Sequence, residues 1–370
     1  MARIAINGLG RIGRSFLKAA LARPELEVVA VNDLGDPENL AYLLRFDSAY
    51  GRFGEEVAVE EGEGGGARLV VGGRGMRFLR ERDPARLPWA ELGVDVVVEA
   101  TGVFETYEEA RVHLRSGARR VVLTAPAKDE DGPDARTVLV GVNLDALGEV
   151  AVSSNGSCTT NSASPLMQVL GDTVGVKKAM LNTVHGYTAT QSLVDAPARG
   201  KDMRRGRAAA ANIVPASTGA ATAVARAIPS LRGRFDGVAM RVPVLSGSLS
   251  AIVFVSGRPT TAEEINGVLE EAARQPRWRG LLAVTRDQLV SSDIVGEPHA
   301  AIVDLSLTKV VDGDLCSVYS WYDNERGFTT SLVEHVAAVA QAAESAPAPA
   351  APLRAVPAGG GDEMVTPLPG

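Results

Sequence analysis

Arg3-Ile4-Ala5-Ile6-Asn7-Gly8-Leu9-Gly10-Arg11-Ile12-Gly13 opens the chain with an apolar strand pattern that runs into G-x-G-x-x-G, and a helical pattern from Ile12 to Leu21 follows directly. In that setting Gly8 permits the tight turn, Gly10 lets a pyrophosphate approach the backbone, and Gly13 lets the helix pack closely on the strand. The next apolar run, Val28 to Val31, ends at Asp33. A carboxylate there accepts hydrogen bonds from an adenosine ribose and repels a 2′-phosphate, so the stretch predicts NAD rather than NADP.

The alternation continues outward from this stretch. Val94 to Val98, Val121 to Leu123 and Val138 to Val142 read as buried strands, with helices at Asn39 to Leu44 and Tyr107 to Leu114. Uniformly apolar strands alternating with helices predict an α/β domain with a parallel sheet covered on both faces. The glycine-rich, β-like stretch from Gly51 to Phe78 predicts an antiparallel insertion. Further on, strands at Ala179 to Val184, Gly237 to Pro243, Ser248 to Ser256 and Ile302 to Val311 alternate more strongly, and Asp312-Gly313-Asp314 turns the chain into Leu315 to Trp321. With helices at Thr218 to Ile228 and Ala262 to Arg274, this half predicts an α+β domain with a mainly antiparallel sheet. The segment from Gln191 to Ala216 is irregular and holds Arg199, Lys201, Arg204, Arg205 and Arg207; its length suits a functional or subunit-contact loop. A final amphipathic helix runs from Thr329 to Ala343. The Pro-, Gly- and Ala-rich residues 347–370 cannot build a packed core and read as a disordered tail.

A net charge of −7 argues against a general nucleic-acid or acidic-membrane binder. With only Cys158 and Cys316, neither a disulfide framework nor a cysteine-rich metal site is expected, and the usage fits a reducing cytoplasm. Neither a leader peptide nor a membrane-spanning run is expected, and no metal.

The second informative stretch is Ser153-Ser154-Asn155-Gly156-Ser157-Cys158-Thr159-Thr160-Asn161. Strand-like residues precede it and a helical pattern follows, which places Cys158 at a helix N-terminus. Unpaired N–H groups there favour a thiolate. His185, at the end of a later strand, can lower the thiol pKa and act as a base. Thr218-Gly219 opens a helix and suits an oxyanion. His113, His299 and His335 read as surface-helix, loop and terminal-helix residues, and Cys316 as an inert core thiol.

Taken together, Asn7 to Arg14, Ser157-Cys158-Thr159-Thr160-Asn161, His185-Gly186-Tyr187-Thr188-Ala189-Thr190-Gln191, Pro215 to Ala221 and Trp321-Tyr322-Asp323-Asn324-Glu325 resemble the phosphorylating glyceraldehyde-3-phosphate dehydrogenase family. The likeness implies a Rossmann NAD-binding domain over 1–157, completed by the C-terminal helix at 325–346, with a catalytic domain over 158–324. It implies catalytic Cys158 and His185. Substrate or inorganic phosphate would be held by Ser157, Thr159, Thr188, Arg204, Thr218, Gly219 and Arg241, with Arg205 the rival to Arg204. NAD would be contacted by Asn7, Gly8, Gly10, Arg11, Ile12, Gly13, Asp33, Arg82, Thr101, Gly102, Thr124 and Asn324. The implied reaction oxidises D-glyceraldehyde 3-phosphate, through a thiohemiacetal and an acyl-thioester on Cys158, to 1,3-bisphosphoglycerate. Family members are usually homotetramers. Rival readings are oxidation of another phosphorylated aldehyde, such as erythrose 4-phosphate, and a catalytically silent NAD-binding interaction protein.

Several positions depart from the family pattern. Ser162 stands where a second cysteine is common, and Gly186 replaces alanine or serine. Val244-Leu245-Ser246-Gly247-Ser248 replaces a Thr-x-Asn-Val-like segment, and Ala251 replaces an aspartate. Glu325-Arg326-Gly327-Phe328 replaces Glu-Trp-Gly-Tyr. These changes suggest a specialised isozyme.

Overall fold

The computed structural model describes residues 1–345 apart from 63, 64 and 199, so Arg199 and the 347–370 tail lie outside the described residues. The first half contains β1 (Ala2–Asn7), α1 (Arg11–Ala20), β2 (Leu26–Asn32), α2 (Pro37–Arg45), β3 (Phe46–Asp47), β4 (Gly51–Arg52), β5 (Val57–Glu61), β6 (Ala67–Val71), β7 (Arg74–Leu79) and β8 (Val96–Glu99). It continues with α3 (Tyr107–Ala110), α4 (Val112–Arg115), β9 (Arg120–Leu123), β10 (Ala135–Thr137) and β11 (Val152–Ser154). All these strands except the β3–β4 pair join one sheet in the order β10-β11-β9-β8-β1-β2-β7-β6-β5. Pairing is parallel from β10 to β7. The predicted antiparallel insertion is the β5-β6-β7 meander, which extends this sheet through the β2–β7 pair.

The second half contains α5 (Cys158–Thr173), β12 (Val176–Gly186), β13 (Val214–Ser217), α6 (Ala220–Ala227), β14 (Phe235–Val242), β15 (Ser248–Ser256) and α7 (Ala262–Arg274). It ends with β16 (Leu282–Thr285), β17 (Ala301–Asp304), β18 (Lys309–Val311), β19 (Leu315–Tyr322) and α8 (Arg326–Ser345). Its sheet runs β13-β14-β12-β15-β19-β17-β16, with β18 paired to β19. Only the β12–β14 and β16–β17 pairs are parallel, as a mainly antiparallel sheet requires.

Each sheet has its own core. Phe16 and Leu17 of α1 pack with Ile4, Ile6 and Val98 of the first sheet, and α8 returns to this core through Phe328, Leu332 and Val336. Leu166 and Leu170 of α5, Val224 of α6 and Leu269 of α7 pack with Leu181, Ile252 and Val318 of the second sheet. The alternation along β12 leaves Met180 50% and Val184 43% exposed on the opposite face.

Three predicted elements are corrected. The strand predicted at Val138 to Val142 lies earlier, at β10. Beyond it Gly141 turns the chain with φ +77°, and a Cβ there would meet the Trp278 ring at 2.7 Å. The strand predicted over Ile302 to Val311 is broken after Asp304, whose carboxylate captures the Ser306 N–H at 3.2 Å and hydroxyl at 2.6 Å and winds a short 3-10 turn. The helix predicted from Tyr107 to Leu114 is interrupted at Arg111. The predicted hairpin stands: Asp312 (φ 49°) and Gly313 (φ 75°) supply the left-handed pair that joins β18 to β19.

Candidate active site

β11 delivers the chain to Gly156, whose φ of +65° makes the turn into α5. Ser157 caps that helix: its hydroxyl accepts the Thr160 N–H at 3.1 Å, and the Thr160 hydroxyl accepts the Ser157 N–H in return. Cys158 is therefore the first helical residue, with its own N–H and those of Thr159 directed at sulfur. The register of β12 places His185 on the buried face of the second sheet, and its Nε2 lies 3.2 Å from Cys158 Sγ.

The imidazole is oriented from behind. Its Nδ1 lies 2.6 Å from the Gly186 carbonyl oxygen, and in the tautomer that donates to this oxygen Nε2 is free to take a proton from sulfur. Arg241, on the neighbouring β14, donates to the same carbonyl at 3.3 Å, and the same Nη1 lies 2.5 Å from His185 Nδ1. Burial pushes the Cys158 thiol up, against the pull of the Arg241 charge and the Thr159 hydroxyl and N–H. Burial and the Arg241 charge hold His185 down to about 3. The expected lowering of the thiol is thus reversed by burial for the thiol taken alone. Proton transfer from Sγ to Nε2 charges both groups together, and unit charges 4 Å apart attract by about 4 kcal/mol at an effective dielectric near 20. The two titrations are coupled and belong to the pair rather than to either group alone.

Among the predicted anion ligands, Thr188 and Thr190 share a hydroxyl contact of 3.0 Å, and Arg205 donates to Thr190 at 3.4 Å. The charge of Arg205 is also felt at Arg241. Arg204 makes an ion pair with Asp202 at 2.8 Å, so of the two arginines it is Arg205 that meets this group. The Thr159 hydroxyl meets the Tyr322 hydroxyl at 2.9 Å and that of Ser157 serves the helix cap, each with a further hydrogen-bonding position left over. Thr218 accepts the Ala220 N–H at 3.2 Å and keeps its O–H for an oxyanion, while Gly219 precedes the first turn of α6.

The glycine motif borders a cleft of about 370 Å³ lined by Asn7, Gly8, Gly10, Asp33, Arg82 and Thr101. Its glycines, open helix N–H groups and Asp33 suit the pyrophosphate and adenosine ribose of NAD. No side chain caps α1, and a Cβ at Gly10 would meet nothing within 4 Å, so the helix N–H groups open onto free space. A Cβ at Gly13 would come within 2.0 Å of the Gly8 carbonyl oxygen, which is the close helix-on-strand approach read from the motif. Asp33 spans loop and turn, accepting Leu9 N–H at 2.7 Å and Gly35 N–H at 2.8 Å. Ile12 lies in the first turn of α1, and Gly102 is an exposed left-handed turn residue after β8. The Thr124 hydroxyl donates to the Glu99 carbonyl at 3.0 Å. Asn324 accepts from Ser248 at 3.0 Å, and Ser248 in turn accepts the Gly186 N–H at 3.2 Å, beside His185. The Arg11 guanidinium is held by Asp47 at 3.0 Å and by Glu325, while its backbone N–H lies in the first turn of α1.

A support escaped the sequence reading. Buried Glu99 accepts from Asn7 at 2.6 Å and from the Thr101 N–H at 2.8 Å, and it pairs at 3.0 Å with His113, which also meets the Trp89 indole at 3.1 Å. His113 is fully buried rather than on a helix surface. An acid ending an otherwise apolar strand, Val96-Val97-Val98-Glu99, was the available signal. His335 lies in the terminal helix as read, buried between Ser153 at 2.8 Å and Asn155 at 3.1 Å.

Two family profiles match the chain: glyceraldehyde 3-phosphate dehydrogenase, NAD binding domain, over residues 2–107, and glyceraldehyde 3-phosphate dehydrogenase, C-terminal domain, over residues 157–324. The chain is 48% identical over 337 residues to the glyceraldehyde-3-phosphate dehydrogenase of Thermotoga maritima, covering 90% of this chain and 98% of that one. It is 45% identical over 337 residues to that of Clostridium pasteurianum, covering 90% and 97%. With glyceraldehyde-3-phosphate dehydrogenase 1 of Bacillus subtilis the identity is 45% over 341 residues, covering 92% and 98%.

Proposed function

The chain belongs to the glyceraldehyde-3-phosphate dehydrogenase family and is an NAD-dependent phosphorylating dehydrogenase of D-glyceraldehyde 3-phosphate, and we propose that its own residues divide that reaction as follows. Cys158 Sγ forms a bond to the aldehyde carbon while its proton passes to His185 Nε2, and His185 hands that proton to the carbonyl oxygen to give a thiohemiacetal. NAD, held by the Gly8–Gly13 turn, Asp33, Arg82, Thr101 and Asn324, supplies the hydride acceptor. His185 takes the hemiacetal hydroxyl proton as the carbonyl re-forms, leaving an acyl-thioester. A phosphate oxygen then attacks the thioester carbon, the C–S bond breaks, and sulfur regains a proton from His185.

Arg241, Thr188 and Arg205 hold the phosphate group of the aldehyde, and Thr218 with the N–H groups opening α6 holds inorganic phosphate. The NAD-binding part is 1–157 with the terminal helix, and the catalytic part is 158–324, a division supported by the two separate cores. The enzyme works as a cytoplasmic homotetramer; the exposed apolar Met180 and Val184 and the unpaired cysteines support this reading. The relatives favour this substrate over erythrose 4-phosphate and over a silent NAD-binding protein.

The observation that carries the assignment is the 3.2 Å Sγ–Nε2 contact at the start of α5. NADH formation from glyceraldehyde 3-phosphate tests it: a burst without phosphate and steady turnover with it are expected, and both disappear in Cys158→Ala. Turnover by Cys158→Ala would end the covalent reading. Sedimentation velocity tests the tetramer.

A further inference from the structure

Along α1 lies a further cavity of about 280 Å³ whose lining is rich in cations. Arg11, Arg14, Ser15 and Lys18 face it from α1, the spacing that places side chains on one helix face. Arg52 follows from β4 and Arg326 from the start of α8. The carboxylates lining the cavity, Asp47 and Glu325, are both committed to Arg11. Among the described residues no carboxylate pairs with Arg14, Lys18, Arg52 or Arg326. Arg14 donates to the Leu9 carbonyl at 2.9 Å, Lys18 lies over Phe53 at 4.7 Å and Arg52 over Phe46 at 5.7 Å. Burial lowers Lys18 and Arg14 from their ordinary values, outweighing the pull of Asp47 on both and of Glu325 and Asp33 on Arg14.

A protein of net charge −7 that gathers five cations against two carboxylates around one cavity concentrates a local field that its overall charge does not predict. Arg326 adds to this charge where the family pattern has tryptophan. We infer that this cavity is a binding site for a compact polyphosphate anion, separate from the cofactor cleft and from the Cys158 site. The volume admits a pyrophosphate or triphosphate group, and the Arg14, Arg52 and Arg326 guanidinium groups suit phosphate oxygens better than a point charge would. Tyr50 and Phe53 add ring faces at the cavity wall, so the same phosphates could arrive alone or attached to a base.

The test is isothermal titration of the intact enzyme with inorganic pyrophosphate, and in a parallel arm with ATP, both in saturating NAD and inorganic phosphate so that the other anion sites are filled. One further site per chain is expected. Arg326→Trp and Lys18→Met should each weaken it by at least about tenfold, the scale of one charge-assisted hydrogen bond, while kcat for glyceraldehyde 3-phosphate stays at the wild-type level. Arg52→Ala, at an exposed position, gives the same reading should either half-buried variant fold poorly. Tighter binding of ATP than of pyrophosphate would mean that the rings hold a base, and equal binding that phosphate alone is recognised. Absence of a further site in wild type, or binding unchanged by Arg326→Trp and Arg52→Ala, overturns the proposal.

Discussion

Replacing Tyr322 by phenylalanine separates what supports the Cys158 helix from what reacts there. Tyr322 is 1% exposed, and its hydroxyl bridges Thr159 Oγ1 at 2.9 Å and Thr183 Oγ1 at 2.7 Å. Its ring lies 6.0 Å from that of His185 in an edge-on contact. Phenylalanine keeps the ring and the packing but removes the bridge. Thr183 then has no hydrogen-bond partner, and Thr159 retains only the Cys158 sulfur at 4.0 Å. A buried hydroxyl left unpaired costs about 1–3 kcal/mol, so the two together should cost roughly 2–4 kcal/mol once the relief of burying the phenol is allowed for. Burial pushes the phenol far above its ordinary value, so it cannot exchange protons with the thiol at neutral pH. Urea unfolding should therefore show a clear loss of stability, while kcat falls by less than about tenfold because Cys158 and His185 are unchanged. An unaltered unfolding midpoint would refute the bridging argument. A loss of about a hundredfold or more in kcat at unchanged stability would put the hydroxyl in the chemistry instead.

Arg205→Ala should raise the KM for glyceraldehyde 3-phosphate by about tenfold or more, whereas Arg204→Ala, which breaks only an exposed pair with Asp202, should leave it unchanged in steady-state kinetics. Gly10→Ala adds a methyl to open space, so thermal melting should stay at the wild-type value while NAD affinity, followed by fluorescence titration, falls; Gly13→Ala drives a methyl against the Gly8 carbonyl and should lower both. His335, held down to about 4 by burial, takes up a proton more readily in the unfolded chain, so stability is lost as pH falls from about 6.5 toward 4. Unfolding midpoints across that range should lose up to about 3 kcal/mol on this account, and His335→Gln should flatten the slope by about 1.4 kcal/mol per pH unit.

The readable parts of this molecule are those fixed by short-range pattern. G-x-G-x-x-G between strand and helix carries its geometry in three small residues, and the run from Ser157 to Thr160 around Cys158 carries a complete capping box, so both sites follow from neighbours in sequence. What escaped depends on partners brought from afar. Arg11 belongs to the motif, yet its guanidinium goes to Glu325 across almost the whole chain. Arg204 and Arg205 are indistinguishable by composition, and only the short turn after Asp202 aims one inward. Glu99 ends an apolar strand and looks like a turn acid until β1 and His113 close over it.

The departures from the family pattern make the same point in reverse, because two of them become one event in three dimensions. Gly186 lies against the segment that replaces the Thr-x-Asn-Val-like stretch: a Cβ at 186 would stand 3.0 Å from the Val244 carbonyl oxygen and 3.3 Å from that of Leu245. The Tyr187 N–H donates to Val244 at 3.1 Å, and Ser248 accepts the Gly186 N–H while donating to Asn324. A loop drawn this close to the strand end carrying His185 leaves little room for alanine or serine, so the glycine and the altered loop accommodate each other. Ser162 is settled by the same kind of contact, its hydroxyl bonded to Ser320 at 3.3 Å in the buried face of β19. These changes conserve the position of the imidazole behind the thiol and re-form its surroundings. Arg326 and Ala251 belong to neither contact: Arg326 faces the cationic cavity along α1, and Ala251 lies in β15 opposite Asn182, where nothing in the structure explains the loss of an aspartate.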